Sequence, residues 1–146
     1  MNHIHSPDTT DPGIEREIIA KGLTAPRITP ADLEAAIVSE HYFTAAQGDQ
    51  QAKMDAAFAN GAINGEGTAS TAPLNLLTFC VLVLKNGFTV TGESACASPE
   101  NFNAEIGKKI ARENAKQKLW PLLGYALKDR LHEQACKVSD LRGDDL

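Results

Sequence analysis

The sequence predicts an α+β fold: an N-terminal helix or two short ones, a β-hairpin with an Asn-Gly turn, and a long C-terminal helix kinked near Pro121. Three observations carry this expectation. A strand-like run, Thr78 to Leu84, is followed by Lys-Asn-Gly-Phe and a second strand-like run, Thr89 to Ser94. Two segments open with a hydroxyl residue, a proline and an acid, which is how helices begin. Finally, 20 of the 38 large apolar side chains fall between Leu74 and Leu131, enough for one modest core.

Residues 1–28 hold Pro7, Pro12, Gly13 and Pro26 and are expected to be a flexible arm, in which only Ile14 to Leu23 could form a helical turn or two. Thr29-Pro30-Ala31-Asp32 announces a helix reaching about Gln47, with Leu33, Ile37 and Val38 facing inward. Gly48 should interrupt it, and Gln51 to Ala59 form a second short helix. Residues 60–73, rich in Gly, Ser, Thr and Ala, read as a mobile loop within a single α+β domain spanning 29–134.

In the hairpin, a two-residue type I′ turn would pair Lys85 with Phe88. That register sets Val83 against Val90, Val81 against Gly92 and Phe79 against Ser94, and places Glu93 opposite Cys80. The first strand is apolar on both faces and should be the more central. Ser98-Pro99-Glu100 then opens the long helix, expected to run to about Gln134 with a kink or break at Pro121. Residues 135–146 read as an acidic tail.

A helical wheel over residues 102–120 separates three stripes. Phe102, Ile106, Ile110 and Trp120 are large and apolar; Ala104, Gly107, Ala111 and Ala115 are small; Lys108, Lys109, Arg112 and Lys116 are basic, with Glu105 beside them. Glycine costs about 1 kcal/mol inside a helix, so Gly107 suggests that a backbone, the strand at Gly92 or a second subunit, approaches along the small stripe. A two-stranded hairpin is rarely stable alone, and this adds an expectation of sheet extension or helix packing in a homo-oligomer.

The basic stripe is the first candidate for binding. Like charges at i, i+4 and i+8 repel, and an anionic partner would relieve them. Residues 104–131 carry +4 within a chain of net charge -5, so the molecule is electrically polarised. A solvated face paired with Glu105 and Glu113 explains the same residues. Glu93 is the second candidate, as a carboxylate on an otherwise apolar or hydroxylic face, with simple exposure as its alternative.

His132 and Cys136 lie one turn apart, but His3, His5 and His41 supply no recognisable further ligands, so no metal or other cofactor is expected. Dinucleotide, P-loop, nucleophile-elbow and HExxH patterns are absent, and no enzyme is expected. Three cysteines without a C-x-x-C pair encode neither a disulfide framework nor a four-ligand zinc site. The polar start and the lack of a long apolar run argue against a signal peptide or membrane span and favour a cytoplasmic location.

The strings LKNGFTVTGESAC (84–96), SPENF (98–102), IGKKIARENA (106–115) and LWPLLGY (119–125) resemble a family of small tailed-phage and prophage proteins, the gene product 49 / gene product 66 family. The resemblance covers roughly Thr29 to Leu131. It implies an accessory product working in the infected host cell rather than a virion part, and it brings no activity or catalytic residues. The expected function is a non-enzymatic binding module, with counter-defence a fitting role. Its partner would be a host protein or a phosphate-bearing small molecule held by Lys108, Lys109, Arg112 and Lys116. The alternative is a nucleic-acid-associated early protein using the same ridge.

Overall fold

The computed structural model describes residues 10–61 and 72–143. Its order is α1 (Asp11–Ala20), α2 (Pro30–Ala36), β1 (Ile37–Thr44), α3 (Ala45–Ala59), β2 (Leu77–Leu84), β3 (Thr89–Ala95), α4 (Ala104–Gln117) and α5 (Leu119–Arg142), with 3-10 turns at Ala72–Leu76 and Pro99–Asn101. The chain is α+β, as its sequence predicts. It divides into two compact units, one of residues 37–119 and one of the two flanking segments.

The 37–119 unit is built on an antiparallel sheet of order β1-β2-β3. The central position of β2 is as expected, since both its faces are apolar. β1 corrects the sequence reading, which carried a helix from Pro30 through Gln47. The helix stops at Ala36 because Ile37-Val38 and His41-Tyr42-Phe43-Thr44 are β-branched and aromatic residues that gain a ladder with β2, Tyr42 opposite Cys80 and Phe43 opposite Phe79. Tertiary pairing outweighs weak helix propensity here. Leu33 is buried as expected, whereas Val38, at a register irregularity between Ile37 and Ser39, is exposed. The third strand of the sheet thus comes from this same chain.

Thr44 ends β1 and caps α3 through a reciprocal capping box with Gln47. α3 runs through Gly48, where an added Cβ would stand 3.6 Å from the Phe43 ring, and so joins the two pieces that Gly48 was expected to separate. Of the expected mobile loop at 60–73, residues 62–71 lie outside the described residues.

The hairpin forms, but in another register. Gly87 N donates to Leu84 O at 2.8 Å and Leu84 N to Phe88 O at 2.8 Å, so three residues, Lys85 to Gly87, make the loop. Gly87 has φ +84 while Asn86 does not take positive φ. A type I turn with a left-handed glycine bulge therefore replaces the two-residue type I′ turn, which needs positive φ twice. The register shifts by one: Leu82 pairs with Val90, Cys80 with Gly92 and Phe79 with Glu93. One residue of slip exchanges the faces of β3 relative to β2.

The face formed by Thr78, Cys80, Leu82 and Leu84, with Val90 and Gly92, is the buried one, and α4 covers it along β2 and β3. α4 lays down its small stripe: Gly107, Ala111 and Ala115 are buried. An added Cβ on Gly92 would collide with Ala111 O and Ala115 N, so β3 and α4 meet backbone to backbone at this glycine. A Cβ added on Gly107 would instead meet a side chain, with Thr78 Oγ1 at 3.1 Å.

α4 begins at Ala104, five residues later than the Ser98 cap suggests. Ser98 precedes only the 3-10 turn, and Asn103 accepts from Ile106 N at 3.0 Å as the cap of α4. The expected break also forms. It falls at Lys118, which places Pro121 in the first turn of α5, where a missing N–H costs no helical bond. α5 then continues to Arg142, eight residues past its expected end and into the segment read as an acidic tail, whose residues 144–146 lie outside the described ones.

In the flanking unit, α1 occupies the middle of the expected arm, capped by Thr10. Arg27 holds Glu15 through two hydrogen bonds, at 2.7 and 2.8 Å, and this lowers the Glu15 carboxyl below its usual range. The cap at Thr29 forms as expected. Asp32 accepts from Thr29 N and Oγ1, which hold its carboxyl low, and its own N donates to Thr29 Oγ1.

Candidate functional site: the basic ridge of α4

Because the small stripe faces the sheet, the basic stripe emerges along the β1 side of α4. Arg112 spans to Glu40 on β1, its Nε at 2.8 Å and Nη2 at 2.7 Å from Oε1. Glu40 also accepts from Tyr42 Oη at 2.8 Å. Lys108 Nζ lies 5.9 Å from the centre of the Tyr42 ring, a cation–π distance. The partner of Arg112 is thus Glu40, seventy-two residues away, and neither Glu105 nor Glu113; Glu113 accepts from Gln117 instead. Lys108 and Lys109 are exposed, and Lys116 is half-buried.

A side chain that is 28% accessible paired with one that is 31% accessible gives a moderate ion pair. A double-mutant cycle with Glu40→Ala and Arg112→Ala should return a coupling of about 1 kcal/mol, decreasing with salt. A coupling near zero would mean that the bridge does not position the ridge.

Behind this cluster lies Cys80, fully buried. Burial raises the Cys80 thiol, and it is also the main cause that raises the Tyr42 phenol, reinforced by the bond to Glu40. Both are acids that the fold keeps protonated, so above their ordinary values the unfolded chain binds fewer protons than the folded one and stability is lost. Unfolding midpoints in urea should be level through neutral pH, fall from about pH 8.5 and fall further beyond about pH 10. In Cys80→Ala the first decline should vanish and the second persist. A midpoint independent of pH up to 10.5 would contradict the buried position of Cys80 and the half-buried one of Tyr42.

The other side of α4 fastens to β3. Antiparallel alternation from the Leu84–Phe88 pair directs the carbonyls of Thr91 and Glu93 outward at the sheet edge. Lys118 Nζ donates to Thr91 O at 2.6 Å and Asn114 Nδ2 to Glu93 O at 2.8 Å. Sequence reasoning passed over Glu40, Tyr42, Asn114 and Lys118. The repeat of Asn114 and Lys118 at i, i+4 beside the small stripe was the available signal.

Glu93 does not join the basic ridge. In the observed register its side chain lies opposite Phe79, exposed, on the face away from α4. His41 sits within 3.0 Å of Ser39 Oγ, and His132 Nε2 is 3.8 Å from Cys136 Sγ on the exposed surface of α5. His3 and His5 lie outside the described residues. Among the described residues no group of three or more His, Cys, Asp or Glu is placed to hold a metal ion, and no helix is long and apolar enough to cross a membrane. The free thiols are Cys80, buried, Cys96, half-buried, and Cys136, exposed.

These features define a small α+β scaffold on which one helix is fastened to both edge strands and presents a scaffold-held row of cations. The chain belongs to the phage protein (N4 Gp49/phage Sf6 gene 66) family, whose model matches residues 28–131. No curated protein and no solved structure matches it.

Proposed function

We propose that this phage protein works in the host cytoplasm as a non-enzymatic binding module that blocks an acidic face of a host protein, in the manner of a counter-defence factor. The observation that carries this reading is the orientation of α4. With its small stripe against the sheet, the helix leaves Ile106 and Ile110 exposed to 56% and 47% on the same element that displays Lys108 and Lys109. Half-exposed aliphatic side chains next to cations are the composition of a protein-binding surface with a charged rim.

A phosphate-bearing small molecule suits the site less well, because Arg112 already points two donors at Glu40. Nucleic acid suits it less again, since the net charge is -5 and the aromatic ring beside the ridge, Tyr42, is engaged by Lys108 and Glu40.

Native mass spectrometry of the protein purified from infected cells tests the proposal, and the same spectrum counts the subunits of the proposed homo-oligomer. A host-protein adduct that disappears in Ile106→Asp/Ile110→Asp, with circular dichroism unchanged, is the expected result. A nucleotide-sized adduct lost in Arg112→Ala/Lys116→Ala would replace the protein target with a small one. A ligand-free mass for the wild-type protein from infected cells would overturn the reading.

A further inference from the structure

The helix that runs past its expected end carries a second surface. Along α5, Leu127, Leu131, Gln134, Val138 and Leu141 recur at intervals of four, three, four and three residues, which places them on one face. Exposure rises along this face: Leu127 and Leu131 are half-buried, Val138 is 47% exposed and Leu141 87%. The last turns of α5 therefore hold a helix-pairing seam that the described residues leave uncovered.

The charges beside the seam select the occupant. Of the five residues that border it, Lys128, Arg130, Lys137 and Arg142 are basic and Ala135 is uncharged, whereas the acids Asp129, Glu133 and Asp140 lie further round the helix. A second copy of α5, parallel or antiparallel, would bring cation against cation along both borders. We infer that the C-terminal half of α5 binds an amphipathic helix of a partner protein whose apolar seam is bordered by acidic residues. This docking uses none of the ridge residues of α4, so it stands or falls separately from the function proposed above.

Two designed four-heptad peptides with leucine seams, one bordered by Glu and one by Lys, test it by fluorescence anisotropy on the full chain. Arg130 is within electrostatic reach of Asp32, so the variants use Lys137 and Arg142. The Glu peptide should bind and the Lys peptide should not. Lys137→Glu/Arg142→Glu should weaken the Glu peptide about tenfold and admit the Lys peptide, a gain that mere unfolding does not produce. Val138→Asp/Leu141→Asp should abolish binding of both while retaining helical circular dichroism. Equal binding of the two peptides, no binding of the Glu peptide, or a wild-type dimer in analytical ultracentrifugation that Val138→Asp/Leu141→Asp dissolves, would each overturn the inference.

Discussion

Gly92→Ala should lose about 3 kcal/mol or more of stability, a large share of the roughly 5–15 kcal/mol that holds a domain together. The new methyl would overlap Ala111 O and Ala115 N and come within 2.8 Å of Ala115 Cα. All three are backbone atoms, which cannot rotate aside as a side chain would. Relief requires α4 to rise off β3, and the bonds from Asn114 to Glu93 O and from Lys118 to Thr91 O would stretch with it. Loss of near-UV dichroism and a much lower urea midpoint are the expected readouts. Gly124→Ala supplies the opposite sign in the same assay. Its Cβ would enter open space inside α5, and the better helix former should add roughly 0.5–1 kcal/mol. If Gly92→Ala unfolded at the wild-type midpoint, the placement of α4 against this strand would be wrong.

What the sequence discloses follows the range over which its signals act. The hairpin, the cap at Thr29, the centrality of β2 and the break before Pro121 rest on residues within a few positions of one another, and all are found. The exact turn was missed because Asn-Gly suits both a two-residue loop and a three-residue loop with glycine at its end. Both satisfy the local chemistry, and only the seat that Gly92 needs beneath Ala111 and Ala115 separates them. β1 was missed because Glu34 to Phe43 reads as an adequate helix until its partner strand, some forty residues away, is considered.

The site divides in the same way. The row Lys108, Arg112 and Lys116 is visible as a helical repeat, and α4 is the helix that carries it. Its counter-charge was not visible, because Glu40 reaches Arg112 only once β1 becomes a strand. Glu93 shows the cost of a single-residue slip: it moved from the face of Cys80 to the face of Phe79. The small stripe was the more informative signal. It correctly implied a close approach, and its consequence, that the large apolar stripe is left outward, is what exposes Ile106 and Ile110.

Leu82→Ala should cost about 3 kcal/mol, and Val81→Ala, one residue away, roughly 1 kcal/mol. β2 is apolar at nearly every position, so nothing in Leu77 to Leu84 itself decides which face becomes the core. β3 decides it. Thr89, Thr91 and Glu93 would set hydroxyls and a carboxylate beneath any covering helix, whereas Val90 and Gly92 offer an apolar floor with room for a backbone. α4 therefore covers the side of Cys80, Leu82 and Leu84, and Leu82 is fully buried while Val81 stays partly accessible. The difference between the two substitutions reads that choice directly, with chemical denaturation of each variant at low protein concentration. Equal losses would place a second layer over Phe79, Val81 and Val83. A repeat at high concentration would then show whether another copy of the chain supplies it, since only an intermolecular layer makes the cost of Val81→Ala depend on concentration.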